Sequence, residues 1–230
     1  MSSSGPDGLT GVDEGLRARK RAATQSALER AAISLALEHG YDSVTVDMIC
    51  EAAMVSPRTF FNYFGTKEGV FLGAAPPMPA EAEIHAFVHA AGPDVLRDLV
   101  GMMTAAFVDL TPDTDLLQSR RMLIERTPEL LTGENTRIAE MEVRLVRLVL
   151  DRFRAQGRTE ASTPDLEDEA RMVVGLGGSV MRYSMQKWFC GGFAGAPREL
   201  LQQSLALVQR ITGSAAPAAA QSSPAQSPRR

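Results

Sequence analysis

The segment VSPRTFFNYFGTKEGVF, Val55 to Phe71, places four aromatic rings in the five residues from Phe60 to Phe64, in a chain that is only 6% aromatic. Ser56 followed by Pro57 is a helix start: the hydroxyl accepts from a first-turn N–H, and proline at the first helical position gives up no hydrogen bond. Gly65 ends that helix, and Thr66 with Lys67 and Glu68 opens another. With Phe60 at zero and about 100° per residue, Phe64 falls near 40°, Pro57 near 60° and Phe61 near 100°. On the same wheel Arg58, Asn62, Thr59 and Tyr63 fall at roughly 160°, 200°, 260° and 300°. Phe60 and Phe64 therefore form a buried seam. Arg58, Asn62 and Thr59 form a polar face, bordered by Phe61 and Tyr63.

Those polar side chains suit the edges of DNA bases. Arginine pairs in bidentate fashion with guanine, asparagine with adenine, and threonine reaches a base edge or a phosphate. A border phenylalanine lies against a thymine methyl, and a border tyrosine offers its hydroxyl to a phosphate. Working upstream, Ala53-Met54-Val55 is a tight turn. Before it, residues 46–53 read as a short helix capped by Thr45, with Asp47 in its first turn. Val44 and Ile49 flank that cap as a hydrophobic staple. Cap, short helix, turn and second short helix make the helix-turn-helix order, whose second helix enters the major groove. A first helix over 16–39 carries Ala27, Leu28, Ala31, Ala32, Leu35 and Ala36 as an apolar stripe and ends at Gly40. Its basic run, Arg17, Arg19, Lys20 and Arg21, is suited to backbone phosphates or a minor groove. The aromatic helix alone reads equally as core, and the basic run alone as a solvated helix start. Their order carries the DNA-binding reading.

The chain has 230 residues, 44% hydrophobic and 23% charged, with a formal net charge of −4. That length suits one or two domains with a real core. The acidic balance argues against a protein coated in nucleic acid, but not against a local basic patch. Cys50 and Cys190 are far apart in apolar surroundings and read as two small buried hydrophobes. No secretory leader or run of eighteen apolar residues is visible, so a cytoplasmic protein is expected. Residues 1–15 and 214–230 read as a disordered arm and an Ala/Pro/Ser-rich tail. Everything between reads as helix, with further helices expected near 80–91, 93–109, 113–126, 128–156, 164–190 and 197–212. No strand alternation occurs, so an all-α fold is expected.

The stretch GYDSVTVDMICEAAMVSPRTFFNYFGTKEGVF, Gly40 to Phe71, resembles the DNA-binding domain of the TetR family of bacterial transcriptional regulators. The resemblance covers residues 21 to 71, about a quarter of the chain. It lies in the Gly-aromatic after the first helix, the T-V-x-x-I-like second helix, the V-S-x-x-T-F-like third helix and the Thr-Lys-Glu start of the fourth. It implies a three-helix DNA-binding domain over 16–73 and a helical ligand-binding and dimerisation domain over 74–213. It implies DNA contacts at Thr45, Ser56, Arg58, Thr59, Phe61, Asn62, Tyr63 and Lys67, to which the basic run adds Arg19 and Arg21. Phe60, Phe64 and Ile49 match core positions. Two positions depart from the pattern: Met54 stands where the family usually has glycine, and Phe61 where tyrosine is common.

In the resemblance, the second domain binds a small effector and forms a homodimer on a palindromic operator. Gly175, Gly177, Gly178 and Ser179 interrupt a long helix, where each glycine costs about 0.8–1 kcal/mol relative to alanine. Close packing against another helix explains them, as an interface, a pocket wall or a core contact. A dimer interface of Gly175, Gly178, Met181, Leu201 and Leu205 is the expectation. The stretch SRRMLIERTPELL, Ser119 to Leu131, resembles a subgroup whose C-terminal domain takes acyl-CoA-like ligands. Met102, Met103, Phe107, Met122, Leu123 and Met141, with Val143 and Phe193, read as the lining of an apolar pocket or simply as core, and Arg120 as a partner for an anionic group. Arg120 and Arg121 read alternatively as partners of acids such as Asp115 or Glu125. His85 and His89, with Glu81 a turn earlier, form a conceivable metal face without a further ligand set, so no metal or cofactor is expected. No phosphate loop or nucleophile elbow occurs, and no catalysis is expected. The expected function is a ligand-responsive DNA-binding repressor. The alternative is a non-catalytic helical interaction module with a vestigial DNA-binding head.

Overall fold

Ten α-helices and no strands occur among residues 10–75, 78–108, 113–192 and 196–211, which the computed structural model describes. The all-α expectation holds, and most helix boundaries fall within two or three residues of those expected. α1 (Thr10–His39), α2 (Val46–Ala52), α3 (Pro57–Phe64) and α4 (Lys67–Leu72) build the head. α5 (Glu81–Val88), α6 (Val95–Val108), α7 (Thr114–Arg126), α8 (Pro128–Ala155), α9 (Leu166–Cys190) and α10 (Pro197–Ile211) build the body. α1 starts six residues before the expected Leu16, within the arm read as disordered. The polar composition there suggested an arm, yet no proline follows Pro6 to stop a helix from extending backward. The rest of the expected arm, residues 1–9, and the tail lie outside the described residues.

Two hydrophobic clusters hold the fold. The body's cluster joins α5, α6, α8, α9 and α10 through Phe87, Leu99, Val149, Phe153, Val174 and Leu201. α10 is pinned to α9 by a buried bond from Ser184 Oγ to Ser204 Oγ, 2.7 Å. The head's cluster contains Leu28, Val44, Ile49, Phe60 and Phe71, and it draws Leu123, Ile124 and Leu130 from the body. The SRRMLIERTPELL stretch thus packs the body onto the head, because its apolar positions fall on the α7–α8 corner that faces α1 and α4. Val44 and Ile49 share this cluster, as a staple requires. Cys50 is buried, and burial pushes its thiol pKa up. Cys190, also expected to be buried, is exposed, because it is the last residue of α9, where the chain passes into Gly191–Gly192.

Candidate nucleic-acid interface

Local chemistry sets the interface. Thr45 caps α2, its hydroxyl accepting from the Met48 N–H at 3.2 Å. The turn then closes with the Met54 N–H on the Glu51 carbonyl and the Val55 N–H on the Cys50 carbonyl, 3.1 and 3.0 Å. Met54 sits at φ +53°, the one non-glycine with positive φ among the described residues, and is 92% exposed. Methionine there bears a left-handed strain of roughly 1–2 kcal/mol that glycine would not. Ser56 caps α3, accepting from the Thr59 N–H at 3.2 Å and sharing a hydroxyl bond with Thr59 Oγ1 at 2.9 Å. Thr66 caps α4 through the Gly69 N–H at 3.1 Å. Gly69 has no room for more: a Cβ there would stand 2.4 Å from the Phe64 carbonyl oxygen.

α3 is anchored by one ring. Phe60 is fully buried, edge-on to Phe61 with centroids 5.4 Å apart and tilted against Phe64 at 5.7 Å. Phe64, placed in the same buried seam by the angular reading, is half-buried at its rim. Arg58 and Asn62 are exposed, and among the described residues neither side chain has a hydrogen-bond partner. Phe61 is 51% exposed beside them. Tyr63, on the other border, packs on the head core, and the Arg21 guanidinium lies over its ring. Arg17, Arg19 and Lys20 are exposed on the turn before. One side of the head thus presents unpaired hydrogen-bonding groups framed by positive charge.

Lys67, expected at a phosphate, is half-buried against Tyr41. Its Nζ donates to the Tyr41 carbonyl at 2.8 Å and stands 4.3 Å from that ring's centroid. The ammonium retains further donors, but its position is set by Tyr41. The Tyr41 hydroxyl donates in turn to Glu68 Oε1 at 3.4 Å, and its ring meets Phe71 edge-on. Burial first, then the neighbouring Glu68 carboxylate, pushes the phenol's pKa up to about 12. A bond from its own backbone N–H, with help from Thr66 and Tyr41, holds the Glu68 carboxyl below the usual range. The Gly-Tyr pair was visible in the sequence; its clamp on Lys67 was not.

In the body, Met102 and Met103 are buried in the core cluster and Met141 packs against it. The other expected pocket residues are not gathered there. Leu123 belongs to the head's cluster, Met122 is half-buried, and Val143 is exposed. The side chain of Phe107 and the whole of Phe193 lie outside the described residues. Arg120 pairs with Glu29 of α1 at 2.7 Å, and Arg121 with Glu125 at 2.7 Å. Of the expected interface residues, Gly175 is exposed and a Cβ there would meet nothing within 4 Å, and Gly178 is half-buried near Glu142. Met181 and Leu201 are buried in the body core, and Leu205 packs against it. Gly177 has the intramolecular role: a Cβ there would touch Leu99 at 3.4 Å, so it brings α9 close to α6. The His85 and His89 rings stack 4.1 Å apart, with His89 Nδ1 bonded to the His85 carbonyl. No group of three such ligands occurs among the described residues, and no helix among them is long and apolar enough to cross a membrane.

A capped helix-turn-helix with an outward polar face, packed against a helical body, is the arrangement of a DNA-binding transcription regulator. The sequence profile described as "Bacterial regulatory proteins, tetR family" matches residues 29–74, the head from mid-α1 through α4. Over 188 residues the chain is 35% identical to the HTH-type transcriptional regulator TcmR of Streptomyces glaucescens, an alignment covering 76% of this chain and 77% of that protein. The chain belongs to the TetR family of bacterial transcriptional regulators.

Proposed function

We propose that the protein is a homodimeric repressor that holds a palindromic operator and is released by a small apolar effector, acting in the cytoplasm. The observation that carries the operator reading is the pair Arg58 and Asn62, exposed and unpartnered on a helix whose opposite side is locked by Phe60. Buried side chains do not read bases; these two are exposed and free to do so. Ser56, Thr59, Tyr63, Arg19 and Arg21 supply the surrounding phosphate and edge contacts, with Phe61 against a thymine methyl.

Dimerisation is required for specificity, since one short helix reads too few base pairs. The outward face of α9 supports it: Met172, Gly175, Leu176 and Tyr183 are exposed at helical spacing, with Met172 64% accessible. An effector of apolar character, acyl-CoA-like or otherwise, is assigned to the body beside Met102, Met103 and Met141. Methionines adapt to flexible apolar guests. Arg120 is left out of that site because Glu29 already occupies it.

The test is a gel-shift titration of the full chain and of Arg58→Ala and Asn62→Ala against DNA selected from a random pool. Each substitution is expected to cost about 1–3 kcal/mol and to relax preference at one base position. Circular dichroism and dimer mass are expected to stay unchanged. Full affinity in both variants would refute the reading face.

A further inference from the structure

We infer that the Arg120–Glu29 ion pair is the positioning contact that fixes the angle of the reading head on the body, and through that angle the spacing between operator half-sites. The inference rests on the dimeric reading proposed above. Glu29 lies in the middle of α1, and both of its carboxylate oxygens are taken: Arg120 Nη2 donates to one at 2.7 Å, Gln25 Nε2 to the other at 3.0 Å. The two charged side chains are only 13% and 11% exposed. The same guanidinium lies against Gly73, where the head's last helix ends. A Cβ at Gly73 would stand 2.6 Å from Arg120 Nη1, and the residue's φ of +71° already favours glycine. From α8, Arg137 Nη1 donates to the Gly73 carbonyl at 2.9 Å. Thus α1, α4, α7 and α8 meet around one arginine.

The contact is suited to direction rather than to stability. A buried ion pair is worth little compared with apolar residues of the same volume, because desolvation offsets the attraction. Here the balance is poorer still, since Arg120 Nε is buried with no hydrogen-bond partner among the described residues. What a guanidinium fork offers in return is a fixed geometry. The neighbouring tie, Arg30 to Asp113 at 2.8 Å, is mostly exposed and holds less firmly. Beside the joint a cleft of about 300 Å³ opens between the end of α1 and the α7–α8 corner, lined by Leu37, Tyr41, Asp42, Arg126 and Glu129. One side of the joint is therefore open, and the polar contacts add direction to the apolar packing of Leu123, Ile124 and Leu130.

The experiment compares the wild type with the double variant Glu29→Leu/Arg120→Met, which replaces the pair by apolar groups. Sites are first selected from random DNA. Affinity is then measured for the same half-sites with one or two base pairs inserted or removed between them. The double variant is expected to unfold at the wild-type temperature or above and to select the same half-site sequence. It is expected to lose about tenfold of the wild type's preference for one spacing, since a head free to tilt accepts several. Wild-type spacing preference in a folded double variant would overturn the inference. Where the double variant does not fold, Glu29→Gln carries the same readout, and an unchanged spacing preference there overturns it equally. Selection of an isolated half-site by the wild type would overturn the dimeric reading itself, and the spacing role with it.

Discussion

The Arg21 guanidinium lies over the Tyr63 ring, 5.3 Å from its centroid, so the basic part of α1 is carried to the border of the reading helix. The stacking holds a cation that would otherwise sample solvent, and it orients the tyrosine from above. Arg21→Ala is expected to weaken DNA binding about tenfold for specific and non-specific duplexes alike, and to lower the salt dependence by about one phosphate contact. Fluorescence anisotropy across a salt series measures both. An effect confined to one base position would show that Arg21 reads sequence instead.

Phe60 holds α3 from beneath and is fully buried. Phe60→Ala is expected to destabilise the head by about 3–5 kcal/mol. Loss of DNA binding would then accompany loss of thermal stability, unlike in Arg58→Ala, where binding falls and the melting temperature stays.

Met54 adopts φ +53° in the turn before the reading helix, almost wholly exposed. Met54→Gly relieves the left-handed strain, partly offset by glycine's greater freedom in the unfolded chain. The net gain expected is about 0.5–1 kcal/mol, read from chemical denaturation. A loss of stability would mean that the methionine side chain contributes contacts of its own.

Tyr41 ionises late, with a pKa of about 12. Below pH of about 10, folded and unfolded chains both keep the phenol proton, and stability does not change on its account. Between about 10 and 12 the unfolded chain loses the proton first, so folding stability falls as pH rises. Of the three tyrosines, one is expected to titrate last by ultraviolet absorbance, and Tyr41→Phe to remove that phase. Persistence of the late phase in Tyr41→Phe would overturn its assignment to Tyr41.

The head was legible because its signals are local. Thr45, Ser56 and Thr66 each cap the backbone three residues on, and helical angle alone separates Phe60 from Arg58 and Asn62. Arg121 and Glu125 likewise meet one turn apart, as spacing allows. What spacing does not encode is contact between distant elements. Lys67 reaches Tyr41 across 26 residues and Arg120 reaches Glu29 across 91, and neither sequence neighbourhood names its partner. The body's methionines illustrate a different limit: pocket walls and packed core share one composition, so Leu123 joined the head while Met102 and Met103 joined the body. The glycines of α9 divide the same way, Gly177 facing α6 and Gly175 facing outward, roughly half a turn of angle that composition does not report.

The first helix is thirty residues long, about 45 Å at roughly 1.5 Å per residue, and a single continuous rod. Its basic run and its joint with the body sit on that one rod, which makes it a lever with Glu29 near the fulcrum. Arg19 stands about 15 Å along the axis from Glu29, so a tilt of about 10° there sweeps the basic end through about 2–3 Å. That displacement approaches the length of a hydrogen bond, enough to lift a guanidinium off a phosphate without unfolding anything.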